Sequence, residues 1–581
     1  MSLKSSLRQH FDWLDGYSSS IFSADLIAAI IVSILLVPQS LAYALLAGLP
    51  PQLGIYVSIF PLIAYALLGS SRQLNVGPTA VISLMTAACI ATLPPDIRLV
   101  SAAVLALMTG SMLIIAGLLR AGFVMNFVSR PVVSAYITGA ALLIIISQLK
   151  YIFGVPATGT TALKLISSLR VALVETKWIT FCVGASACVV LYVSKKTLAY
   201  VLVKAGVKSK YAKLLARTAP IAVIIIYIIL SASLGLAEKY GLNVVGTVPA
   251  GLPKLDFPDV TRLPLELLVV PAAVIAVVAF VDSTSTAQEF AARSRTHLDT
   301  NKELLGLGAS NFVAGITGGY PINGSMSRTA VNASAGGKTP MVNVITAIFM
   351  GLTALFLTPV LKALPLAVLA ALIIVACLSL LDFRNIWRTW VYSRADGITA
   401  MATFLSVLIF GVQWGVLAGV ILAMALHIRQ TLHPHIAEVG RFPGTEHYRD
   451  ASRFVVETNE QVKTLRIDES LYYANARSLE DRVASLIASS PEMTNLVLMC
   501  TAVSSIDASA LSSLHEINKR LKRVGVQLHF SDMQSRVKER LFRSDFLKSL
   551  TGKIFLSQHD AMEALSPEPD WSQYSDHIDI H

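Results

Sequence analysis

The chain has 581 residues, of which 54% are apolar and only 14% are charged. Soluble globular proteins carry about 25% charged residues, so the composition excludes a soluble multidomain enzyme, a secreted disulfide scaffold and a disordered chain. The 47 basic and 36 acidic residues give a net charge of +11. Because the basic residues lie in loops between apolar runs, we attribute this charge to orientation in a membrane and expect no nucleic-acid partner. The sequence predicts a polytopic α-helical membrane protein with a soluble tail.

Apolar runs follow a polar segment at residues 1–20. A helix needs about 20 apolar residues to cross a hydrocarbon core of about 30 Å. The stretch 397–426 contains no charged residue, and Gly411–Gly415 predicts that it forms two short helices. With two interrupted segments described below, we expect twelve to fourteen crossings within residues 21–432. The other runs predict spans at 25–47, 53–69, 99–119, 131–149, 178–194, 218–237, 265–289, 341–359 and 363–381.

Charge in the connections predicts the orientation. Residues 195–217 contain seven lysines and arginines, and such basic connections lie in the cytoplasm. Residues 238–266 mix acidic and basic side chains and are expected to face outward. Lys4 and Arg8 place the N-terminus inside, and an even number of crossings returns the C-terminal region to the cytoplasm. We therefore expect a multi-pass protein of the inner membrane with both termini in the cytoplasm.

The pattern becomes that of a soluble domain near residue 433. Alternating strands and helices over residues 433–565 predict a small α/β domain. Residues 566–581 are rich in Pro, Ser and acidic residues and are expected to be disordered; His577 and His581 lack the partner spacing of a metal site. Strands are predicted at 462–467, 495–498 and 526–530, and helices at 479–487 and 510–524.

Two apolar segments are too short to cross a membrane, and each begins at a turn rich in Gly and Pro. The first runs from Thr79 to Leu93, about 22 Å as a helix; the second runs from Ser327 to Gly336, about 14 Å. Such paired segments in the two halves of a transporter indicate its substrate site, although ordinary surface loops remain an alternative. A half-helix start offers free N–H groups and a positive dipole end, which predicts an anion site. Its candidate residues are Gly77, Pro78, Thr79, Ala80, Ser325, Met326, Ser327 and Arg328.

Two charged residues lie in apolar surroundings, where ionisable groups are costly and often functional. Arg328 could add attraction for the anion, or could be a snorkelling or structurally paired arginine. Asp282 ends a long apolar run and has Thr286 one turn later on the same helix face. This carboxylate and hydroxyl suit Na⁺, or the carboxylate alone could carry a proton. The alternative is a salt bridge between Asp282 and Arg328.

Polar side chains also interrupt the first apolar run. Pro38 should kink this helix, and Gln39 and Tyr43 share one face of it, where they could line the anion cavity. An interhelical hydrogen bond by Gln39 is an equally good interpretation. Glu289, beside Arg293, is expected at the membrane interface.

Four stretches occur in an order that resembles the sulfate permease (SulP) family, bacterial relatives of the solute carrier family 26 anion transporters. They are VPQSLAYALLAGLPPQLGIY, GGYPINGSMSRTAVNASAGGKTP, LRIDESLYYANARSLEDRV and IDASALSSL. The resemblance extends from about Asp25 to Leu565. It implies fourteen segments in a seven-plus-seven inverted repeat with core and gate domains, a cytoplasmic STAS domain and a homodimer.

The resemblance also implies roles for particular residues. In this family the anion lies between the two half-helix starts, here 77–80 and 325–328, beside the positions of Gln39 and Tyr43. Members that couple to Na⁺ have an acid and a hydroxyl at the positions of Asp282 and Thr286, with backbone from the position of Gly324. Some STAS domains are phosphorylated on a serine that follows Asp-Ser. Ser509 follows Asp-Ala instead, so we expect a regulatory or dimer-contact role rather than phosphorylation.

These observations predict a secondary active transporter of small anions, with sulfate as the default substrate and Na⁺ symport by alternating access. No cofactor is expected beyond the coupling ion, Na⁺ or H⁺, and the expected partners are the anion, membrane lipid and a second copy. A Na⁺-dependent bicarbonate transporter, a proton-coupled C4-dicarboxylate transporter, a passive anion channel and a membrane-tethered sensor are alternatives. The sequence has no Walker lysine loop, HExxH, GxSxG or metal-spaced His/Cys cluster, so we expect no enzymatic activity.

Overall fold

The computed structural model describes residues 17–91, 93–123, 129–247, 249–261, 263–432 and 434–566. The predictions for residues 1–16 and 567–581, including His577 and His581, lie outside the described residues. The chain forms two compact units, divided between Ala423 and Met424.

Helices dominate the chain up to Leu432. Two two-residue strands are the exceptions, and each immediately precedes a short helix. In chain order the elements are α1 (Ser19–Leu46), α2 (Gln52–Tyr56), α3 (Phe60–Leu68), β1 (Val76–Gly77), α4 (Ala80–Ile90), α5 (Arg98–Leu118), α6 (Arg130–Phe153), α7 (Ala162–Ala172), α8 (Trp178–Lys204), α9 (Ser209–Ser233), α10 (Leu236–Tyr240), α11 (Leu265–Ser294), α12 (Thr300–Ile316), β2 (Asn323–Gly324), α13 (Met326–Ala335), α14 (Met341–Leu352), α15 (Leu366–Leu378), α16 (Phe383–Tyr392), α17 (Arg394–Phe410) and α18 (Val412–Leu432).

Six helical stretches in the described residues are long and apolar enough to cross a membrane. They are Ser19–Leu46, Arg98–Leu118, Arg130–Phe153, Trp178–Lys204, Leu265–Ser294 and Leu366–Tyr392. Shorter apolar helices accompany them, among them α4. The break predicted at Gly411 is confirmed, because α17 ends at Phe410 and α18 begins at Val412. Gly411 has φ +89°, a backbone conformation that favours glycine.

The structure departs from the sequence predictions in local detail. The apolar segment predicted at 53–69 is present but is broken into two helices, α2 and α3. Pro61 lies in the first turn of α3, where its missing N–H costs no helical hydrogen bond. The basic connection at 195–217 is largely helical, because α8 continues to Lys204 and α9 begins at Ser209. Helices α7 and α16 were not predicted at all.

Glycines bring α5 and α12 into backbone contact. A Cβ atom at Gly110 would lie 2.4 Å from the backbone nitrogen of Phe312, and one at Gly315 would lie 2.5 Å from Cγ of Leu107. Small residues allow this close approach of membrane helices. Asn311 on α12 then positions the chain that leads to β2, because its Nδ2 donates to the carbonyl of Ile322 at 3.1 Å and its Oδ1 accepts from the N–H of Ile322 at 2.9 Å.

A buried carboxylate on α12 fixes the chain that precedes β1. Glu303 has no exposed surface. Its Oε2 accepts from the hydroxyl of Tyr65 at 2.7 Å, and its Oε1 accepts from the N–H groups of Ser70 and Ser71 at 2.9 and 2.6 Å. Hydrogen bonds of this kind compensate for the burial of a charge.

The second unit contains a five-stranded mixed sheet. The strand order is β4-β3-β5-β6-β7, in which β5, β6 and β7 are parallel and β3 pairs antiparallel with both β4 and β5. The strands and helices predicted from the sequence are present, whereas β3, β4 and the last three helices were not predicted. The elements are β3 (Ile436–Arg441), β4 (Tyr448–Asp450), β5 (Val462–Ile467), α19 (Ala476–Ser489), β6 (Asn495–Met499), α20 (Ala508–Arg523), β7 (Gln527–Ser531), α21 (Ser535–Phe542), α22 (Phe546–Ser549) and α23 (Gln558–Leu565).

A histidine on β7 is fixed as a neutral ring by its neighbours. The N–H of Lys553 donates to Nδ1 of His529 at 3.0 Å, and Nε2 lies 3.0 Å from Oδ1 of Asn495. Nδ1 cannot accept this bond once it is protonated. Burial, together with the charge of Lys553, lowers the pKa of His529 from 6.5 to about 4.

We expect acid to destabilise the second unit through His529. Between pH 6.5 and about pH 4 the unfolded state binds the proton and the folded state does not, so the free energy of unfolding falls as the pH falls through this window. The melting temperature of the domain should therefore drop between neutral pH and about pH 5, and His529→Gln should flatten this dependence. His515→Gln, at a half-exposed position of α20, is the control and should leave the dependence unchanged. An equal pH dependence in His529→Gln and the parent would contradict the assignment.

Candidate anion and cation site

The two predicted half-helix starts lie next to each other. Strands β1 and β2 pair antiparallel, with Val76 opposite Gly324 and Gly77 opposite Asn323. The N–H of Ser325 also donates to the carbonyl of Asn75 at 2.9 Å. Helix α4 begins three residues after Gly77 and α13 begins two residues after Gly324, so this pairing holds both helix N-termini at one place although they are about 250 residues apart in sequence.

The N-terminus of α4 is uncapped. Thr79 occupies the N-cap position, but its side chain accepts no hydrogen bond from the first turn. Among the described contacts, the N–H groups of Ala80, Val81 and Ile82 have no acceptor. Ala80 is buried, as are Gly77 and Pro78 before it. Unpaired amides and the helix dipole make such a buried N-terminus a binding site for an anion.

The N-terminus of α13 is partly capped and more exposed. The hydroxyl of Ser325 accepts from the N–H of Arg328 at the long distance of 3.5 Å and lies 3.2 Å from the hydroxyl of Ser327. The amides of Met326 and Ser327 have no acceptor among the described contacts, and both residues are exposed. The two helix starts therefore differ, because one is buried and the other is accessible.

The Arg328 side chain joins both half-helices to α1. It is 1% exposed. Its Nε donates to Oδ1 of Asn75 at 2.7 Å, and its Nη1 donates to the carbonyl of Pro78 at 3.0 Å and to Oε1 of Gln39 at 3.3 Å. These acceptors are neutral, and the predicted alternative of a salt bridge with Asp282 is absent from the described residues. Arg328 is therefore a structurally paired arginine, and Gln39 makes an interhelical hydrogen bond to it.

One nitrogen of Arg328 remains free. Nη2 is buried and has no hydrogen-bond partner among the described residues. A Cβ atom at Gly77 would lie 3.2 Å from Nη2, so a side chain at Gly77 would crowd this nitrogen. Because an unpaired buried charge is costly, a buried N–H of a guanidinium without an acceptor is suited to receive one from a bound anion.

Three buried hydroxyl groups lie near the half-helices. Those of Thr79, Ser83 and Tyr320 make no hydrogen bond of ordinary geometry among the described atoms, and those of Ser83 and Tyr320 lie close to each other. Tyr320 and Tyr43 lie close enough to Arg328 to interact with it electrostatically. Ser83 and Tyr320 were not predicted from the sequence. Tyr320 stands in the GGYPINGS run and Ser83 follows Thr79 by one helical turn. Their positions next to the predicted half-helix starts could therefore have indicated both residues.

The predicted acid lies beside β2. Nδ2 of Asn323 donates to Oδ2 of Asp282 on α11 at 2.7 Å. Oδ1 of Asn323 accepts from the hydroxyl of Ser283 and from the N–H of Gly324, the latter at 2.7 Å. The same N–H also donates to the hydroxyl of Ser283 at 2.9 Å. Asn323 thus connects the carboxylate to the strand that pairs with β1 and leads into α13, and it was missed in the sequence.

The oxygen atoms around Asp282 fit a small hard cation. Asp282 is half-buried, and Oδ1 has no hydrogen-bond partner among the described residues. Thr286 lies one turn further along α11 and is 4% exposed. Carboxylate and hydroxyl oxygens are ligands of the kind that hard cations take. Gly324 can contribute only its carbonyl oxygen, because an amide N–H is not a ligand for a cation.

Two remaining candidates make other contacts. Glu289 accepts from Arg293 at 2.5 Å one turn later on α11, and both side chains are partly exposed. Ser509 is exposed in the first turn of α20. Asp507 caps that helix, accepting from the N–H of Ala510 at 2.8 Å.

Two domain models and several known proteins match this chain. A model of the sulfate permease family matches residues 22–403, and a model of the STAS domain matches residues 453–561. Sulfate transporter 4.1 of Arabidopsis thaliana, a chloroplastic protein, is 34% identical over 95% of this chain and 82% of its own length. The probable sulfate transporter MT1781 of Mycobacterium tuberculosis is 33% identical over 95% of each chain.

The predicted fold class is confirmed at the level of structure. The murine solute carrier 26 family member A9 anion transporter, solved in its inward-facing state, matches with a TM-score of 0.86 at 25% identity, over 97% of this chain and 95% of that chain. The fold is that of a helical multi-pass membrane protein of this kind with a C-terminal STAS domain.

Proposed function

Because this chain belongs to the sulfate permease family and carries a STAS domain, we propose that it is a secondary active transporter of a small oxyanion, with sulfate as the default substrate. The transport is symport with Na⁺ by alternating access, and the Na⁺ gradient drives it. The relatives from A. thaliana and M. tuberculosis are named sulfate transporters. The single observation that carries the proposal is the β1–β2 pairing, which sets the N-termini of two half-helices side by side next to Asp282.

The anion is bound mainly by neutral donors. The unpaired amides at the start of α4 and the free Nη2 of Arg328 replace the water that a dehydrated anion loses. The hydroxyls of Thr79, Ser83 and Tyr320 supply further donors. Gln39 and the carbonyl of Pro78 hold the guanidinium in place, so that Nη2 need not reorganise when the anion enters.

Coupling follows from the charge of Asp282. An ionised carboxylate near the site repels an anion, and this repulsion is strong where water is excluded. Na⁺ held by Asp282 and Thr286 neutralises the carboxylate and removes this repulsion. Binding of the cation therefore favours binding of the anion, and the reverse. Asn323 transmits the state of the carboxylate to β2 and α13 through its hydrogen bonds to Asp282 and Gly324. Asp282 and Thr286 would thus act as the cation site.

Uptake into proteoliposomes tests the proposal. The purified chain is reconstituted and given labelled sulfate, bicarbonate or fumarate, with an inward Na⁺ gradient, an inward proton gradient or neither. We expect sulfate to accumulate above its external concentration only with the Na⁺ gradient. Accumulation of bicarbonate alone would identify bicarbonate, not sulfate, as the substrate. Accumulation with the proton gradient alone would identify H⁺, not Na⁺, as the coupling ion. Equilibration without accumulation would indicate a passive channel and would overturn the proposal of active transport.

The cellular arrangement belongs to the same proposal. The basic connections favour both termini in the cytoplasm, and we propose the inner membrane as the location of the transporter. Two copies form a homodimer, and the STAS domain regulates transport or contributes to the dimer contact, with the exposed Ser509 on its surface.

A further inference from the structure

Helix α16 (Phe383–Tyr392) was not predicted from the sequence, and the proposed transport mechanism does not use it. It forms the arginine-bearing end of the apolar stretch Leu366–Tyr392 and is joined directly to α17, so it lies at one boundary of the membrane-spanning region. With ten residues it is about 15 Å long, too short to cross a bilayer. A short helix at such a boundary lies at the interface between lipid and water.

One narrow face of α16 is attached to the protein. Ile386 is buried against Ala135 and Ala400, and Nδ2 of Asn385 donates to the hydroxyl of Ser134 at 2.7 Å. On α17, Gly397 allows α16 to approach closely, because a Cβ atom there would lie 2.6 Å from the Cα atom of Trp390. The helix is therefore held in a fixed orientation by contacts to α6 and α17.

The remaining surface of α16 is amphipathic and uncovered. At 100° per residue, an apolar arc continues from the buried Ile386 to Trp387 and Val391, which are 66% and 69% exposed. Arg384 and Arg388 follow directly beside this arc. They are one helical turn apart on the same face and exposed, and neither has an acidic partner among the described residues.

We infer that this face of α16 binds the headgroups of anionic phospholipids in the leaflet at which it lies. Exposed tryptophan at the boundary of membrane proteins lies at the level of the headgroups, and arginine pairs with phosphate through paired N–H donors. Trp387 and Val391 insert between the acyl chains, while Arg384 and Arg388 hold the phosphate groups. The charge of the arginines selects an anionic lipid over a zwitterionic one.

Tryptophan quenching by brominated lipids tests this inference with the full-length chain in nanodiscs. The discs contain phosphatidylcholine with an equal fraction of either brominated phosphatidylglycerol or brominated phosphatidylcholine. Subtracting the signal of the Trp387→Phe/Trp390→Phe variant isolates the response of α16. We expect the anionic brominated lipid to quench more strongly, with a local enrichment of about fivefold per arginine, corresponding to about 1 kcal/mol for each basic residue at a membrane surface.

Charge variants distinguish lipid selectivity from simple proximity. Arg384→Gln/Arg388→Gln should remove the excess quenching by phosphatidylglycerol, and the reversal Arg384→Glu/Arg388→Glu should push it below that of phosphatidylcholine. Arg520→Gln/Arg523→Gln removes two charges from the exposed end of α20 and should change nothing.

Three results would overturn the inference. Equal quenching by both brominated lipids in the parent would mean that the arginines do not select charge. Absence of quenching would mean that something other than lipid, such as a second copy of the chain, covers α16. Loss of the excess quenching on addition of soluble glycerol phosphate would identify a site for free phosphate rather than for lipid.

Discussion

Asparagine in place of Asp282 should abolish Na⁺-driven accumulation of the anion while leaving the protein folded. The substitution is nearly isosteric, and an asparagine Oδ1 can still accept the hydrogen bond that Nδ2 of Asn323 donates to the carboxylate at 2.7 Å. What disappears is the negative charge that attracts the cation. With a tenfold inward Na⁺ gradient and no membrane potential, one coupled ion contributes about 1.4 kcal/mol, or about tenfold accumulation. Uptake of labelled sulfate into proteoliposomes should show this accumulation in the parent and a ratio near one in the variant.

Glu289 provides a matched control for this experiment. It is a second carboxylate on α11, but it is paired with Arg293 and partly exposed. Glu289→Gln should therefore keep concentrative uptake. Concentrative uptake by Asp282→Asn at the level of the parent would remove the carboxylate from the coupling mechanism, whereas loss of uptake in both variants would indicate a general defect of α11.

Thr286→Ala separates the two candidate coupling ions. If the hydroxyl is a ligand of Na⁺ together with Asp282, its removal raises the Na⁺ concentration needed for half-maximal uptake and leaves the maximal rate less affected. A proton bound to the carboxylate needs no second oxygen ligand. If H⁺ is the coupling ion, Thr286→Ala should therefore show the same dependence of uptake on proton concentration as the parent.

The half-helices could be predicted because their signal is local. Gly77-Pro78 and Gly324-Ser325 interrupt apolar sequence, and short apolar runs follow each of them. Helix geometry then gives a segment too short for a bilayer, and the structure indeed begins α4 at Ala80 and α13 at Met326. The break at Gly411 could be predicted for the same reason.

The partners of the charged residues could not be predicted. Arg328 donates to Asn75 across 253 residues and Asn323 donates to Asp282 across 41 residues. An asparagine in an apolar run indicates that some partner exists, because a buried amide must be hydrogen-bonded, but it does not specify which one. The contacts depend on the β1–β2 pairing, and two-residue strands carry no periodic pattern that a sequence could reveal.

The predicted helices differ from the observed ones where amphipathic and apolar patterns alternate over short distances. In α16, Arg384 and Arg388 lie among four aromatic residues, so the segment has neither the uniform apolar character of a span nor the length of a typical surface helix. In α2 and α3, the apolar residues continue across the break between Tyr56 and Phe60, and composition alone therefore predicted a single helix.

Replacement of Arg328 should have an effect as large as that of Asp282 but of a different kind. Arg328→Gln removes the only donor described for Oδ1 of Asn75 and for the carbonyl of Pro78, together with the free Nη2. Each buried acceptor left without a partner costs about 1–3 kcal/mol. We expect anion uptake to fall by more than about tenfold, which corresponds to 1.4 kcal/mol, with a higher KM for sulfate and a lower melting temperature.

Two further variants, Arg328→Lys and Arg98→Gln, separate the contribution of Arg328 to anion binding from its contribution to the fold. Lysine keeps the charge but cannot reproduce the planar fork of donors. If the α4 dipole dominates anion binding, the lysine variant keeps a sulfate KM within a few-fold of the parent and loses mainly maximal rate. Arg98 also donates to two backbone carbonyls, those of Leu93 and Ala91 just after α4, so Arg98→Gln measures the cost of lost hydrogen bonds at the end of α4 remote from the site. A rise in sulfate KM in Arg98→Gln equal to that in Arg328→Gln would show that the guanidinium of Arg328 supports the fold and does not contact the anion.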